Sequence, residues 1–170
     1  MLRGEAAAAG VDFHTRGRRT DEAIDVLRLL WAGGEEGVSI DGEFFSFAKI
    51  CSYPKPYERT TLPIHIGGSS PAAARRAGRR GDGYFPGGRL SDAERTEQRD
   101  LMRRTATENG RDPETLEYTR WGNIGMTADD VTVLTAEGVT RLVVSPVATG
   151  LDDQLAELDT FAERLGLGGT

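Results

Sequence analysis

At 170 residues, with 38% hydrophobic and 28% charged side chains, the chain reads as one soluble globular domain able to bury a core. A formal charge of −6 excludes the broad basic face of a nucleic-acid binder, and a lone cysteine, Cys51, excludes an internal disulfide and suits a reducing compartment. No stretch approaches the ~20 apolar residues of a membrane span and the start lacks the pattern of a secretion signal, so the expectation is a cytoplasmic protein with a small-molecule substrate and neither a nucleic-acid nor a membrane partner.

Residues 16–32 predict the first helix: Ile24, Leu27 and Trp31 recur at spacings of three and four, and Gly33-Gly34 ends the run. The period then changes. Val38 and Ile40 alternate, Asp41-Gly42 signals a turn, and Phe45 and Phe47 alternate again, which predicts a small β-hairpin. Tyr53 to Glu58 holds two prolines in four residues and is a connector. Leu62 to Ile66 reads as a buried parallel strand running into Gly67-Gly68, with Ser70 as cap and Pro71 at the first position of the next helix.

Gly81 to Pro86 predicts a second short strand. Ser91 and Glu94 have capping-box spacing at the start of a polar helix that runs to Asn109. A third strand falls within Leu116 to Gly125, a helix capped by Thr127 ends at Gly138, and Leu142 to Val144 mark a fourth strand over 141–145. Leu151, Leu155, Leu158, Phe161 and Leu165 then share one face of a closing helix. Strands at 62–66, 82–85, 117–121 and 141–145 thus alternate with helices at 71–80, 91–109, 127–137 and 151–165. Four consecutive βα units imply an α/β fold with a parallel sheet.

The segment with chemistry in it is Gly67-Gly68-Ser69-Ser70. Ligands collect at the carboxyl ends of parallel strands, glycines let backbone approach an anion, and a helix start offers free N–H groups and a positive dipole end. A phosphate seat and an ordinary tight βα turn both fit these residues. His65 reads as a packed core histidine and Asp82 as a structural acceptor of backbone N–H groups. Tyr84 either walls a planar ligand in a substrate pocket or is a core aromatic. No metal-ligand spacing, Ser/His/Asp arrangement or Walker-type loop is present.

Taken in order, Arg16 to Ile24, Leu27 to Trp31, the Asp41 to Phe45 turn, Pro54-Lys55-Pro56, Pro63 to Ser70, Ala74 to Gly78 and Gly81 to Tyr84 resemble the luciferase-like monooxygenase superfamily. The similarity is closest to its deazaflavin-dependent branch, and Gly138 to Val144 with the last helix matches the closing unit of that family's barrel. The resemblance implies a partial (β/α)8 TIM barrel made of roughly the last four βα units, across residues 1–170. It places the cofactor's phosphate on the turn after the fifth strand, here Gly67, Gly68, Ser69 and Ser70. The implied activity is hydride transfer between coenzyme F420 and a small organic substrate. An FMN-dependent monooxygenase of the same fold is the alternative, and a non-catalytic, self-associating half-barrel is a third reading. The resemblance also implies that the acid/base residues lie on amino-terminal strands absent from this chain. The partner expected is therefore that missing half or a second copy in a homodimer, because open sheet edges invite association. Two departures from the family pattern, His65 where an aromatic is frequent and Gly78 where alanine is usual, leave the assignment unchanged.

Overall fold

The computed structural model describes residues 3–57 and 62–167, so Glu58 of the expected connector lies outside the described residues. The chain divides into two compact units, Met1–Pro63 and Ile64–Thr170.

The first unit opens with a short helix α1 (Arg3–Ala8) that includes Ala6, Ala7 and Ala8, then a 3-10 turn (Phe13–Thr15) and helix α2 (Arg16–Ala32). The guanidinium groups of Arg3 and Arg16 lie 5.0 and 3.8 Å from the Phe13 ring centroid, so cation–π contact fixes the entry to α2. On α2 the buried side chains are Ile24 and Val26, whereas Leu27, counted in the expected stripe, is 42% exposed. The expected hairpin forms from β1 (Val38–Asp41) and antiparallel β2 (Ser46–Ile50). Its connection is longer than a two-residue Asp-Gly turn, because Glu22 of α2 takes the backbone N–H groups of Phe44 and Phe45 on its carboxylate. Phe45 is thereby held in the loop instead of extending β2.

The second unit carries the four βα units in the expected order: β3 (His65–Gly67), α3 (Pro71–Arg80), β4 (Gly83–Phe85), α4 (Asp92–Glu108), β5 (Glu117–Trp121), α5 (Ala128–Ala136), β6 (Arg141–Val143) and α6 (Leu151–Arg164). The strands pair in parallel in the order β3-β4-β5-β6, the arrangement of a partial (β/α)8 barrel. Strand β3 starts at His65, later than Leu62, since Pro63 has no N–H for a ladder. Asp82 fulfils its structural assignment: its carboxylate accepts the Ile64 N–H at 2.8 Å, and its own N–H donates to Ile64 O.

Helix ends follow local chemistry. Ser70 caps α3 through Ala73 N–H, with Pro71 in the first turn, and complete capping boxes start α4 (Ser91, Glu94) and α5 (Thr127, Asp130). Hydrogen bonds from the backbone N–H and hydroxyl of Ser91 hold the Glu94 carboxyl below the usual carboxylate range, and Thr127 does the same for Asp130. The last helix departs from expectation. Among the five apolar residues on its face only Phe161 is buried, while Leu151 and Leu155 are 70% and 51% exposed.

The core lies between α3, α4 and the sheet, built from Ala73, Ala74, Ala77, Tyr84, Met102, Ala106 and Tyr118. Gly78 is the contact point of α3 on α4: an added Cβ would sit 2.4 Å from Met102 O and 2.8 Å from Thr105 Cβ. Gly78→Ala gains ~1 kcal/mol of helix propensity but must push two helix backbones apart, an overpacking cost of about 1–3 kcal/mol. A net loss of stability, read as a lower urea midpoint with unchanged slope, is the expected result.

Candidate functional site

Gly67 to Ser70 leaves the carboxyl end of β3 beside that of β4, since Gly67 and Phe85 are register partners in parallel strands. All four residues are exposed. Gly68 takes φ +126°, a conformation L side chains rarely adopt, and this swings the chain from the strand into α3. Its N–H donates to Phe85 O at 3.3 Å, which ties the turn to the neighbouring strand end.

The two carbonyls of the turn point inward and are held there. The Tyr84 hydroxyl donates to Gly68 O at 2.9 Å, and the Gln98 side-chain amide donates to Ser69 O at 2.8 Å. The single Tyr84 hydroxyl proton is shared between Gly68 O and Gln98 Oε1, both of which accept it. A trans peptide unit is planar, with its C=O and N–H on opposite sides. Pinning Gly68 O and Ser69 O inward therefore turns the N–H groups of Ser69 and Ser70 outward. Among the described residues neither N–H, nor that of Ala72, has a protein acceptor. Three free donors thus sit over the N-terminus of a ten-residue helix, where its dipole favours negative charge. The residues present fit a phosphoryl group.

Tyr84 does not wall a pocket. It has no exposed surface and points into the helix-covered face of the sheet, so its place is beneath the turn. Burial, with a smaller contribution from Tyr118, pushes its phenol up to about 12, and it remains a donor at neutral pH. Gln98 was not singled out from the sequence. The available signal is a polar residue in register with Met102 and Thr105 on the buried face of α4. Arg95 was missed as well: its guanidinium donates to the carbonyls of Gly87 and Gly88 and holds that loop near Ser69. A Cβ on Gly87 would lie 2.1 Å from Ser69 Oγ, so a side chain there would turn the Ser69 hydroxyl to another rotamer.

His65 lies on the opposite face of the sheet from Tyr84. Its Nε2 is 3.2 Å from the Glu117 carboxylate and its Nδ1 3.4 Å from Thr119 Oγ1. Glu117 in turn pairs with Arg141 at 2.7 Å. The histidine is half-buried in a polar row at the amino ends of the strands, away from the Gly67–Ser70 end. Phe85 and Trp121, with ring centroids 5.1 Å apart, flank the carboxyl ends on this same face, and Trp121 is 54% exposed. No group of three or more His, Cys, Asp or Glu able to hold a metal occurs among the described residues, and none of their helices is long and apolar enough to cross a membrane.

Comparison with known proteins agrees with this architecture. Residues 3–131 match the luciferase-like monooxygenase family. An uncharacterized protein of Mycobacterium tuberculosis is 30% identical over 164 residues, covering 92% of this chain and 54% of that protein. An F420-dependent glucose-6-phosphate dehydrogenase of Microbacterium testaceum is 41% identical over 70 residues, covering 41% of this chain and 20% of its own length. The chain spans about half the length, or less, of these curated relatives. In fold it is similar to the monooxygenase RslO1 of Streptomyces bottropensis, with a TM-score of 0.75 at 17% identity over 98% of this chain and 66% of that one. The coenzyme F420-dependent tetrahydromethanopterin reductase of Methanopyrus kandleri gives 0.64 at 12% identity, covering 84% of this chain and 62% of that one. The match over most of its length shows that this chain belongs to the luciferase-like monooxygenase family of oxidoreductases.

Proposed function

We propose that this chain is the phosphate-holding part of an oxidoreductase that transfers a hydride between coenzyme F420 and a small organic substrate. The observation that carries the reading is the set of outward N–H groups of Ser69, Ser70 and Ala72 at the start of α3. The deazaflavin supplies the carbon that gives or takes the hydride. The protein's share at this end is binding and orientation. The Ser69 and Ser70 N–H groups and hydroxyls would hold the phosphoryl oxygens, Gly68 lets the backbone come close, and Tyr84 and Gln98 keep the carbonyls turned away from the anion.

F420 is favoured over FMN by the F420-dependent dehydrogenases among the sequence relatives, at 33–41% identity over 70–82 residues. The FMN reading draws on monooxygenase structures at 17–19% identity, which speak for the fold alone. The edge strands β3 and β6 leave backbone groups for the remaining strands of a barrel or for a second copy. Fluorescence titration with F420 and, separately, with FMN tests the assignment. Saturable quenching with F420, competed by inorganic phosphate and weaker with FMN, is the expected result. Tighter FMN binding would reverse the cofactor choice, and no binding of either would leave the non-catalytic half-barrel.

A further inference from the structure

On the helix-covered side of the sheet a cavity of about 90 Å³ is lined by Asp92, Arg95, Thr96 and Arg99 of α4, Tyr118 and Arg120 of β5, and Glu137 after α5, with none of Gly67–Ser70 in its lining. That volume is well above the ~10–15 Å³ a single water needs. Three guanidinium groups meet there, and each acts on the Tyr118 phenol. Tyr118 is 4% exposed, and its hydroxyl is buried without a hydrogen-bond partner among the described residues. The same holds for Arg95 Nε, which is 3.9 Å from Asp92 Oδ1 and beyond hydrogen-bond reach of it. Buried donors left unpaired are expensive, and two converging on one cavity ask for an acceptor.

The lining carries three guanidinium groups against two carboxylates, Asp92 and Glu137, while Asp100, outside the lining, pairs with Arg99. Arg120 reaches Glu137 at 2.7 Å and Asp92 at 3.6 Å. Arg99 donates to Glu137 O and pairs with Asp100 at 3.3 Å. Arg95 spends both terminal nitrogens on the neutral carbonyls of Gly87 and Gly88. Asp92, shared between Arg95 and Arg120, is 87% exposed, so solvent screens its charge. Burial pushes the Tyr118 phenol up against the pull of the arginines, so it stays an O–H donor.

We infer that this cavity is a binding site for a small tetrahedral oxyanion of the sulfate or phosphate class. Tyr118 Oη and Arg95 Nε donate to its buried oxygens, and Arg99 and Arg120 supply charge from either side. The anion would join α4 to β5 and α5. It would also hold Arg95, whose other nitrogens carry the loop that crowds Ser69.

Calorimetric titration of the whole chain with sodium sulfate, against sodium chloride at equal ionic strength, reads the site, and a selenate soak of crystals locates it. The expected result is an anomalous peak within hydrogen-bond distance of Tyr118 Oη. Sulfate should also bind saturably in that site and about tenfold more weakly in Tyr118→Phe, which removes a hydrogen bond to a charged group and keeps the ring. Arg99→Gln should weaken it too, which covers the case of a Tyr118→Phe chain that fails to fold. An ordered water alone on Tyr118 Oη, a selenate peak only at Gly67–Ser70, or sulfate affinity unchanged in the two variants would overturn the proposal.

Discussion

Tyr84→Phe is expected to lower stability by about 1–3 kcal/mol and to weaken F420 or phosphate binding by about tenfold, although Tyr84 has no exposed surface. The ring stays, so no cavity forms. What goes is the donor that holds Gly68 O at 2.9 Å and also bonds the Gln98 side chain. Gly68 O then lies over a buried site without a partner, and the Gly68–Ser69 peptide is free to rotate. Rotation turns the Ser69 N–H away from the ligand, so stability and binding fall together. Urea midpoints and the F420 titration read the two effects. A variant with lowered stability and unchanged affinity would show that Tyr84 only packs.

The same residue sets a behaviour in alkali. Its folded pKa of about 12 lies above the ordinary value of 10, so folding favours the neutral phenol. A raised folded pKa gives a contribution that is complete below the unfolded value and is lost as pH rises from 10 toward 12. Tyr118 shifts in the same direction for the same reason, burial. Tyr84→Phe should therefore flatten part of the alkaline fall in stability, with the Tyr118 share remaining.

Gly68→Ala is the second large effect. At φ +126° a side chain is strained, and its Cβ would stand 3.1 Å from Ala73 Cβ. Holding a non-glycine residue in such a region costs about 1–3 kcal/mol. The turn escapes by rotating, which misplaces the Ser69 and Ser70 N–H groups, so F420 affinity should fall by at least about tenfold, the loss of one charge-assisted hydrogen bond. Gly67→Ala is the control. An added Cβ there meets only Phe85 O at 3.9 Å, and its stability should change by no more than about 0.5 kcal/mol. Equal stability and affinity for the wild-type and Gly68→Ala chains would remove the backbone seat from consideration.

Much of this architecture is legible in residue order because it depends on local chemistry. Ser70-Pro71, Ser91 with Glu94, and Thr127 with Asp130 start helices by satisfying N–H groups a few residues away, and the structure has those caps. The alternation of short apolar runs with capped helices suffices for four parallel βα units. The hairpin was visible too, but its loop was not, because the carboxylate that shapes it, Glu22, comes from more than twenty residues away.

Composition, periodicity and capping, each a property of neighbours along the chain, determined the βα order and the placing of a glycine turn after β3, and the succession of motifs from Arg16 to Tyr84 carried the family resemblance. Only the tertiary structure decided that Tyr84 and Gln98 hold that turn from below, that Gly78 is the contact point of α3 on α4, and that the leucines of α6 stay exposed. The physical reason is the same in each case. These roles depend on which backbone groups and side chains meet through space, and no spacing within one segment encodes a partner fourteen or thirty residues distant.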